Sequence, residues 1–459
     1  MKENILSMFS LLLAVVMASC SNQMEELNSE VSDSYEQQIA ENEKAIQTFN
    51  DFVNRLNENG AARSIISGAE VIAVKKTTTV TYGGIPQARS NNIGLPVYEL
   101  TLENPDKTLG FAVVADAVSM DEVIAYSPVG AIADTVYNKA LASYFRDLSM
   151  LSDIASERAI ARADYWQPGW DEFRAFVLGP EEFVRWLTPS ESANRPNQGY
   201  SWIYYGPTDK MEIINAYVPT QWGQGNPYNN RVPYYVDGTR NKVSVGCYAV
   251  AAGQIMAFHK YPSTYDWGML TMGSMIDPTP MQIGGGIDLN KETAIQKEVS
   301  RLLTDLATAG ETEYDTAPDK NSGSTYGSKA IPGLNRMGYV ASRIYLGQEG
   351  GSASIIKDEI KNYNRPVIYS AYSDIEGHMW VIDAILTLER WEYCTFWSTD
   401  GVSTKEGLKR LRAQSNLMHC NWGWNGKSDG WYYNFNPPYK DGYIKFYRDK
   451  YIYTGIKPQ

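Results

Sequence analysis

The stretch that decides the fold is SVGCYAVAAGQIMAFHKYP, residues 244–262. The run YAVAAGQIMAFHKY predicts an apolar helix, with Cys247 at or near its start and His259 near its end. The dipole and the unpaired N–H groups of a helix N-terminus favour a thiolate. Cys247 is therefore either a buried structural thiol, the commoner case for such a stretch alone, or a nucleophile.

The first residues of the chain predict export. In MKENILSMFSLLLAVVMASC, residues 1–20, Lys2 precedes an apolar stretch that is too short to span a membrane as a helix. Its end, Met-Ala-Ser-Cys, is typical of bacterial lipoproteins, in which Cys20 is acylated and becomes the mature N-terminus. A plain signal peptide is the alternative. Residues 21–34 then form a polar tether.

Composition narrows the function classes. The chain has 459 residues, enough for two or three domains, and its net charge of −12 with no basic run argues against a nucleic-acid partner. Without Cys20 the cysteines are Cys247, Cys394 and Cys420, an odd number that leaves at least one free thiol in an exported chain. With three histidines and no C-x-x-C pair, no metal or cofactor is predicted.

The chain divides into two predicted domains. Residues 35–187 begin with an amphipathic helix over 35–58, and strand-like runs such as EVIAVKK, LPVYELTL and LGFAVVAD follow, so we expect a compact α+β unit. Residues 188–211 are rich in Pro, Ser, Asn and Gly, which predicts a protease-accessible linker. Residues 212–459 form the second domain, whose last third predicts an antiparallel sheet that includes a long hairpin insertion over 389–415.

A nucleophilic cysteine needs a base within hydrogen-bond reach. His259 lies roughly 18 Å along the helix from Cys247 and cannot serve, so we expect it to be a helix-end cation or a packing residue. On spacing, His378 in IEGHMWVIDAI and His419 in NLMHCNWGWNG both remain candidates. We favour His378 as the base with Asn421 behind it, because an amide oxygen can accept the ring N–H.

Four segments together resemble the streptopain-type secreted cysteine peptidases, which have a papain-like fold. They are WGQGNPYN at 222–229, GCYAVAAGQIMAFHKYP at 246–262, GHMWVIDAI at 377–385 and CNWGWNGKSDGWY at 420–432. The resemblance makes Cys247 the nucleophile, His378 the base and Gln224 the side-chain donor of the oxyanion hole, beside the Cys247 N–H. Asn421 and Trp422 match the segment that orients and shields the histidine, and which of the two orients it stays open.

The resemblance also implies a function. It predicts an α+β papain-like domain, made of a helix subdomain and an antiparallel sheet subdomain, behind a smaller α+β prodomain that blocks the active site until it is cut away. The expected enzyme is an endopeptidase made as a zymogen, acting on proteins or peptides with a hydrophobic residue two positions before the cut. It would be secreted, or held at the cell envelope by a lipid on Cys20. The alternatives are a cysteine amidase or transamidase, and a catalytically silent surface binding module.

Overall fold

The computed structural model describes most of the chain except its first residues and a long internal segment. The described ranges are 38–58, 68–78, 96–117, 120–131, 201–236, 242–278, 282–283, 286–317, 323–346, 352–372, 377–397, 407–433 and 448–459. The export signal, the tether and the predicted helices around 138–164 lie outside these ranges.

A helix and a four-stranded antiparallel meander form the first unit. Residues 38–58 are helical (α1), and the strands are β1 (Glu70–Thr78), β2 (Pro96–Glu103), β3 (Leu109–Ala117) and β4 (Met120–Ser127). Helix α1 buries Phe49, Phe52 and Leu56, whereas Ile39 of the predicted stripe is exposed. Strands β1, β2 and β3 lie where the runs EVIAVKK, LPVYELTL and LGFAVVAD predict strands.

The second part of the chain supplies a helix layer and most of the strands. Its helices are α2 (Cys247–His259), α3 (Trp267–Leu270), α4 (Ala294–Ala309), α5 (Gly327–Arg336) and α6 (Ser352–Tyr363). Its strands are β5 (Ser201–Asn215), the short pair β6 (Gln282–Ile283) and β7 (Gly286–Ile287), β8 (Tyr339–Tyr345), β9 (Val367–Tyr372), β10 (Gly377–Trp397), β11 (Gly407–Asn421), β12 (Gly430–Tyr433) and β13 (Arg448–Pro458). The predicted α+β class, with helices against an antiparallel sheet, is confirmed.

One sheet runs through both units. Its strand order is β1-β2-β3-β4-β12-β11-β10-β9-β13-β8, and β5 pairs with the outer part of β10. The sheet passes from the first unit to the second where β4 pairs with β12, Trp431 opposite Tyr126 and Tyr432 opposite Ala125. We call this junction, together with the side chains packed around it, the seam.

The core at the seam belongs to both units. Phe49 and Leu56 of α1 share one buried cluster with Leu386, Leu417 and Trp431 of the second unit. The first unit therefore packs directly on the second, because its helix shares a buried cluster with apolar residues of β10, β11 and β12. Burial of this shared surface removes apolar area from water, which stabilises the contact between the units.

The predicted linker is partly a strand. Residues 201–211 belong to β5, which pairs with β10 from Ser201 opposite Trp397 to Asn215 opposite Ala384. Pairing with the extended hairpin of β10 and β11 overrides a local composition that is rich in Pro and Gly. Residues 188–200 of the predicted linker lie outside the described ranges.

Helix α2 occupies the centre of the helix layer. Every residue from Tyr248 to Ala257 is buried, and the helix packs against β9, β10 and β13 on one side and α4 on another. A helix surrounded in this way has no solvent face, which explains why its sequence is apolar on all sides. Its first residue, Cys247, lies at the rim of this core and is only partly buried.

Candidate active site

Cys247 stands at a helix start that a glycine makes possible. The preceding residue, Gly246, has φ +98°, and a Cβ there would lie 2.5 Å from the carbonyl oxygen of Gly323. No side chain caps this end of α2, where the first N–H groups of a helix have no carbonyl partner within the helix. Cys247 forms no disulfide. The site thus offers a partly exposed thiol beside backbone donors.

The imidazole of His378 has one nitrogen engaged. Its Nε2 lies 3.0 Å from the carbonyl oxygen of Trp422, and since a carbonyl can only accept, Nε2 carries the proton. Nδ1 then holds the lone pair of the neutral ring. Burial lowers the pKa of His378 to about 4, against the opposing effect of the hydrogen bond to Trp422. The ring is therefore a neutral base at neutral pH.

Tryptophans surround His378. The imidazole stacks on Trp424 at 5.1 Å between centroids and on Trp380 at 5.9 Å. The indoles of Trp422 and Trp424 stack on each other at 5.3 Å. This aromatic wall excludes water from the ring, which is the physical cause of its lowered pKa.

Helix α2 and the loop after β11 are in contact at the first turn of the helix. In the first turn of α2, the side chain of Val250 packs against Gly423, where an added Cβ would lie 3.0 Å from it. Gly423 directly follows Trp422, whose carbonyl holds His378. Strand β10, which carries His378, also packs on α2. These contacts bring the first turn of α2 next to the segment that holds His378, and the pairing of Cys247 with His378 stays a prediction.

Gln224 is held in one orientation by its neighbours. Its Oε1 accepts a hydrogen bond from the Ser244 hydroxyl at 3.0 Å, and the Ser244 oxygen in turn accepts from the Gly246 N–H at 3.3 Å. The backbone oxygen of Gln224 accepts from the Val245 N–H at 3.0 Å. With Oε1 occupied, the Nε2 donors of Gln224 are the part of the amide left for a ligand.

Asn421 does not stand behind His378, which corrects the arrangement we favour from the sequence. Its Oδ1 accepts from Gln254 Nε2 at 3.0 Å, and its Nδ2 donates to the Thr220 carbonyl at 2.7 Å. Gln254 Oε1 also accepts from the Trp222 N–H at 3.1 Å. The buried Asn421 side chain thus ties the loop that carries Gln224 to helix α2.

The backbone carbonyl of Trp422, rather than the side chain of Asn421 or Trp422, accepts the hydrogen bond from His378, and the Trp422 indole stacks on the imidazole at 6.3 Å. The Trp422 carbonyl faces the imidazole, and its N–H donates to Asp429 Oδ1 at 2.8 Å. Asp429 is 3% exposed, and burial raises its pKa to about 7 against the opposing effect of that hydrogen bond. Asp429 is a supporting residue that the sequence analysis missed.

The sequence carried weak signals for two other supporting residues. Gln254 is the one polar side chain inside the apolar run AVAAGQIMAF, and a buried polar residue in a core helix needs a partner. Ser244 lies three residues before Cys247 in SVGC, where a hydroxyl can bond to nearby backbone groups. Neither residue could be assigned its partner without the fold.

The other two histidines are placed in structural roles. His419 Nδ1 lies 2.6 Å from Asp383 Oδ1, and its ring lies edge-on to Tyr217 and Trp431 at the seam. His259 Nε2 lies 3.1 Å from the Ile456 carbonyl, and burial lowers its pKa, so it is a neutral packing residue rather than a helix-end cation.

The remaining cysteines stand apart from the cleft chemistry. Cys420 is 2% exposed and burial raises its pKa well above the ordinary value, which fits the structural thiol expected from the sequence. Cys394 lies on β10, with its side chain outside the described part. Within the described ranges no cluster of three His, Cys, Asp or Glu could hold a metal. No helix among these residues is long and apolar enough to cross a membrane.

Comparison with known proteins bears out the resemblance. Residues 222–432 match the family model of the Peptidase C10 family. Streptopain of Streptococcus pyogenes is 23% identical over 288 residues, covering 55% of this chain and 64% of streptopain. The thiol protease/hemagglutinin PrtT of Porphyromonas gingivalis is 24% identical over 239 residues, covering 48% of this chain and 23% of that protein. The chain therefore spans somewhat less than two thirds of the streptopain length.

Among solved structures, a fragment of Prevotella intermedia prointerpain A matches with a TM-score of 0.43 and 16% identity. The match covers 84% of this chain and all of that fragment. The sequence similarity to cysteine peptidases extends over the segments that carry Gln224, Cys247, His378, Asn421 and Trp422.

Proposed function

Because residues 222–432 match the Peptidase C10 family, we propose that this chain is a cysteine endopeptidase, made as a zymogen and exported. The observation that carries the proposal is the cleft itself. An uncapped helix start carries Cys247, and His378 is a neutral imidazole whose Nε2–H is already bound by a backbone carbonyl, which leaves Nδ1 to act as the base.

The mechanism begins with proton transfer. His378 Nδ1 takes the proton of the Cys247 thiol as the sulfur attacks the carbonyl carbon of a peptide bond. The imidazolium that forms keeps its Nε2–H on the Trp422 carbonyl, which stabilises the positive charge. His378 then gives the proton to the leaving amine, and water releases the acyl group from Cys247 by the reverse sequence.

The oxyanion hole has two donors. Gln224 Nε2 is one, held by the Ser244 hydroxyl on its Oε1. The backbone N–H of Cys247, at the uncapped start of α2, is the other. Donors fixed before the reaction stabilise the developing oxyanion without reorganising during it. The Asn421–Gln254 network keeps the loop of Gln224 against α2 and thereby maintains this geometry.

The first unit acts as the prodomain in this proposal. Strand β4 of the first unit extends the sheet of the second unit, and the first unit covers apolar residues there. The two units therefore share one sheet and one buried cluster. Residues 201–211 are paired with β10, which makes them a poor protease site. We place the maturation cut within 188–200, ahead of β5. A lipid on Cys20 would hold the precursor at the cell envelope, and release of the first unit would free the enzyme.

The test compares residues 21–459 with the Cys247→Ala variant under reducing conditions, followed by intact mass. We expect the wild type to lose its first part by a cut within 188–200 and the variant to stay whole. Loss of the first part in both would assign the cut to another protease. If neither changes, an outside protease and an epoxide thiol probe follow, and failure of the probe to label Cys247 would overturn the proposal.

A further inference from the structure

One cation beside the cleft lacks a carboxylate partner. Arg343 on β8 is partly buried, and its Nε is buried without a hydrogen-bond partner among the described residues. Other described arginines meet a carboxylate, for example Arg301 with Glu298 at 2.6 Å and Arg365 with Glu359 at 2.9 Å. A half-buried guanidinium without an anion is costly, because its desolvation is not offset.

Arg343 is nevertheless held in place. Its guanidinium carbon lies 3.4 Å from the ring centroid of Tyr451, so the planar group stacks on that ring. Stacking fixes the plane of the guanidinium and leaves its N–H edges for a second partner. Tyr453, opposite Arg343 on β13, lies at 5.8 Å and forms the floor of the same recess.

The recess also holds a tyrosine hydroxyl. A Cβ at Gly327, the first residue of α5, would lie 2.8 Å from Arg343 Nη2 and 3.2 Å from Tyr372 Oη. Arg343 and Tyr372 therefore approach each other beside Gly327, which has no side chain to separate them. Any larger side chain at Gly327 would fill the space between the guanidinium and the phenol.

Tyr372 links the recess to the reacting groups. It pairs with Gly377, the residue before His378, and a Cβ at Gly377 would lie 2.6 Å from the Tyr372 ring. Burial raises the pKa of Tyr372, and the nearby groups act on that pKa in opposite directions: Arg343 lowers it and Cys247 raises it. The Tyr372 ring thus lies against the start of the strand that carries His378, and its hydroxyl lies near Arg343.

We propose that Arg343 and Tyr372 form a subsite beside Cys247 that accepts the carboxylate of a Glu or Asp side chain of the peptide substrate. The guanidinium offers two parallel N–H donors that match a carboxylate, and the Tyr372 hydroxyl can donate a third hydrogen bond. The inference rests on the proposed peptidase function and names its substrate class. It adds an acidic preference to the hydrophobic one that the resemblance implies.

The test uses the matured enzyme and pairs of peptides that differ only by Glu against Gln. The pair is placed in turn at each position from four residues before the cut to three after it. At one of these positions we expect kcat/KM for Glu to exceed that for Gln by about 10-fold or more, as for a hydrogen-bonded ion pair. Equal rates at every position would overturn the inference without any variant being needed.

Variants then assign the effect to Arg343. Arg343→Met should abolish the Glu preference, and hydrolysis of the Gln peptide by the same variant shows that it is folded and active. Arg343→Lys should retain part of the preference, since it keeps the charge but loses the bidentate geometry. Tyr372→Phe should weaken it severalfold. A preference that survives Arg343→Met overturns the proposal.

Two further outcomes are separable. Asp374 and Glu376 follow Tyr372 in the sequence and lie outside the described residues. A Glu preference that emerges only in the Asp374→Asn/Glu376→Gln variant would show that the chain's own carboxylates occupy Arg343, which overturns the inference. Labelling of Cys247 by an epoxide probe, measured in the same samples, reports on the peptidase function by itself.

Discussion

The cleft and the seam treat buried polar groups in opposite ways, although the two regions meet at Trp422. On the cleft side, His378 binds the Trp422 carbonyl and Gln224 keeps its Nε2 donors for a ligand. On the seam side, Asp429 binds the Trp422 N–H, and the Ser127 hydroxyl donates to the Asp429 carbonyl oxygen at 2.7 Å. These seam groups are bonded within the protein, whereas in the proposed cleft the Nε2 donors of Gln224 are the part of its amide left for a ligand.

This difference in hydrogen bonding distinguishes groups that stabilise the fold from groups that can act on a substrate. A polar group whose partners all come from the protein stabilises the fold, and a group with an open donor or lone pair can act on something else. Substitutions in the cleft should therefore reduce turnover with little change in stability. Substitutions at the seam should do the reverse.

The two described cysteines give the sharpest contrast. Cys247→Ala should reduce peptide hydrolysis by about 10⁴-fold or more, as expected when a covalent nucleophile is lost. Cys420→Ala, which removes a 2% exposed thiol from the core, should keep hydrolysis within about threefold. Turnover of one fluorogenic peptide by both variants checks this. A larger loss for Cys420→Ala than for Cys247→Ala would remove the distinction.

Two glutamines of one loop extend the comparison. Gln224→Ala should lower kcat by about 10²–10³-fold, because it deletes a preorganised oxyanion donor. Gln221, whose Nε2 lies 3.4 Å from Asp429 Oδ2, faces the seam instead. Gln221→Ala should change kcat by less than about threefold while lowering the unfolding midpoint. Steady-state kinetics and urea unfolding on both variants decide between them.

The pH dependence of stability should have opposite signs in the two regions. His378, with its pKa lowered to about 4, adds stability that is complete above pH 6.5 and is lost as the pH falls towards 4. Asp429, with its pKa raised to about 7, adds stability that is complete below pH 3.8 and is lost as the pH rises through 7.

Conservative amide variants measure how much His378 and Asp429 each contribute to the pH dependence of stability. As the pH falls from 8 to 4, the free energy of unfolding of His378→Gln should rise by about 2–3 kcal/mol relative to that of the wild type. As the pH rises from 4 to 8, the free energy of unfolding of Asp429→Asn should rise by a similar amount relative to that of the wild type. Urea unfolding at pH 4.5, 6 and 8 checks both slopes. Equal slopes for the two variants would contradict the comparison.

Glycines at the two sites give the smallest expected effect. A Cβ at Gly430 would clash with the Tyr126 carbonyl across the β4–β12 pair, whereas a Cβ at Gly225, beside Gln224, meets nothing within 4 Å. Gly430→Ala should cost about 1–3 kcal/mol and speed hydrogen exchange in β4, as expected for overpacking. Gly225→Ala should leave the free energy of unfolding and the hydrogen exchange of β4 unchanged. Unaltered exchange in Gly430→Ala would mean that the seam tolerates a wider strand spacing.

Much of this arrangement follows from local sequence pattern. The strands of the first unit alternate and are separated by a turn signal, and α2 is an unbroken apolar run, so propensity and periodicity agree with the fold there. Placing Cys247 at the start of α2 required only the helix boundary. The resemblance then supplied His378 and Gln224, whose chain separations carry no local signal.

The rest depends on contacts between distant segments. Strand β5 lies in a stretch that reads as linker, and only pairing with β10 makes it a strand. The carbonyl of Trp422 holds His378, and a backbone group has no sequence signature that marks it for such a role. Asn421 was expected to accept a hydrogen bond from the histidine, but its amide oxygen accepts from Gln254 instead.

The pairing of β4 with β12 affects how readily the proposed mature enzyme aggregates. Strand β12 has four residues and two neighbours, β11 and β4. Departure of the first unit would turn β12 into an open sheet edge, with unpaired N–H and C=O groups next to the uncovered Trp431. Such an edge is a template for strand addition between molecules. The mature form should therefore aggregate more readily than its precursor, and added β4 peptide should suppress it.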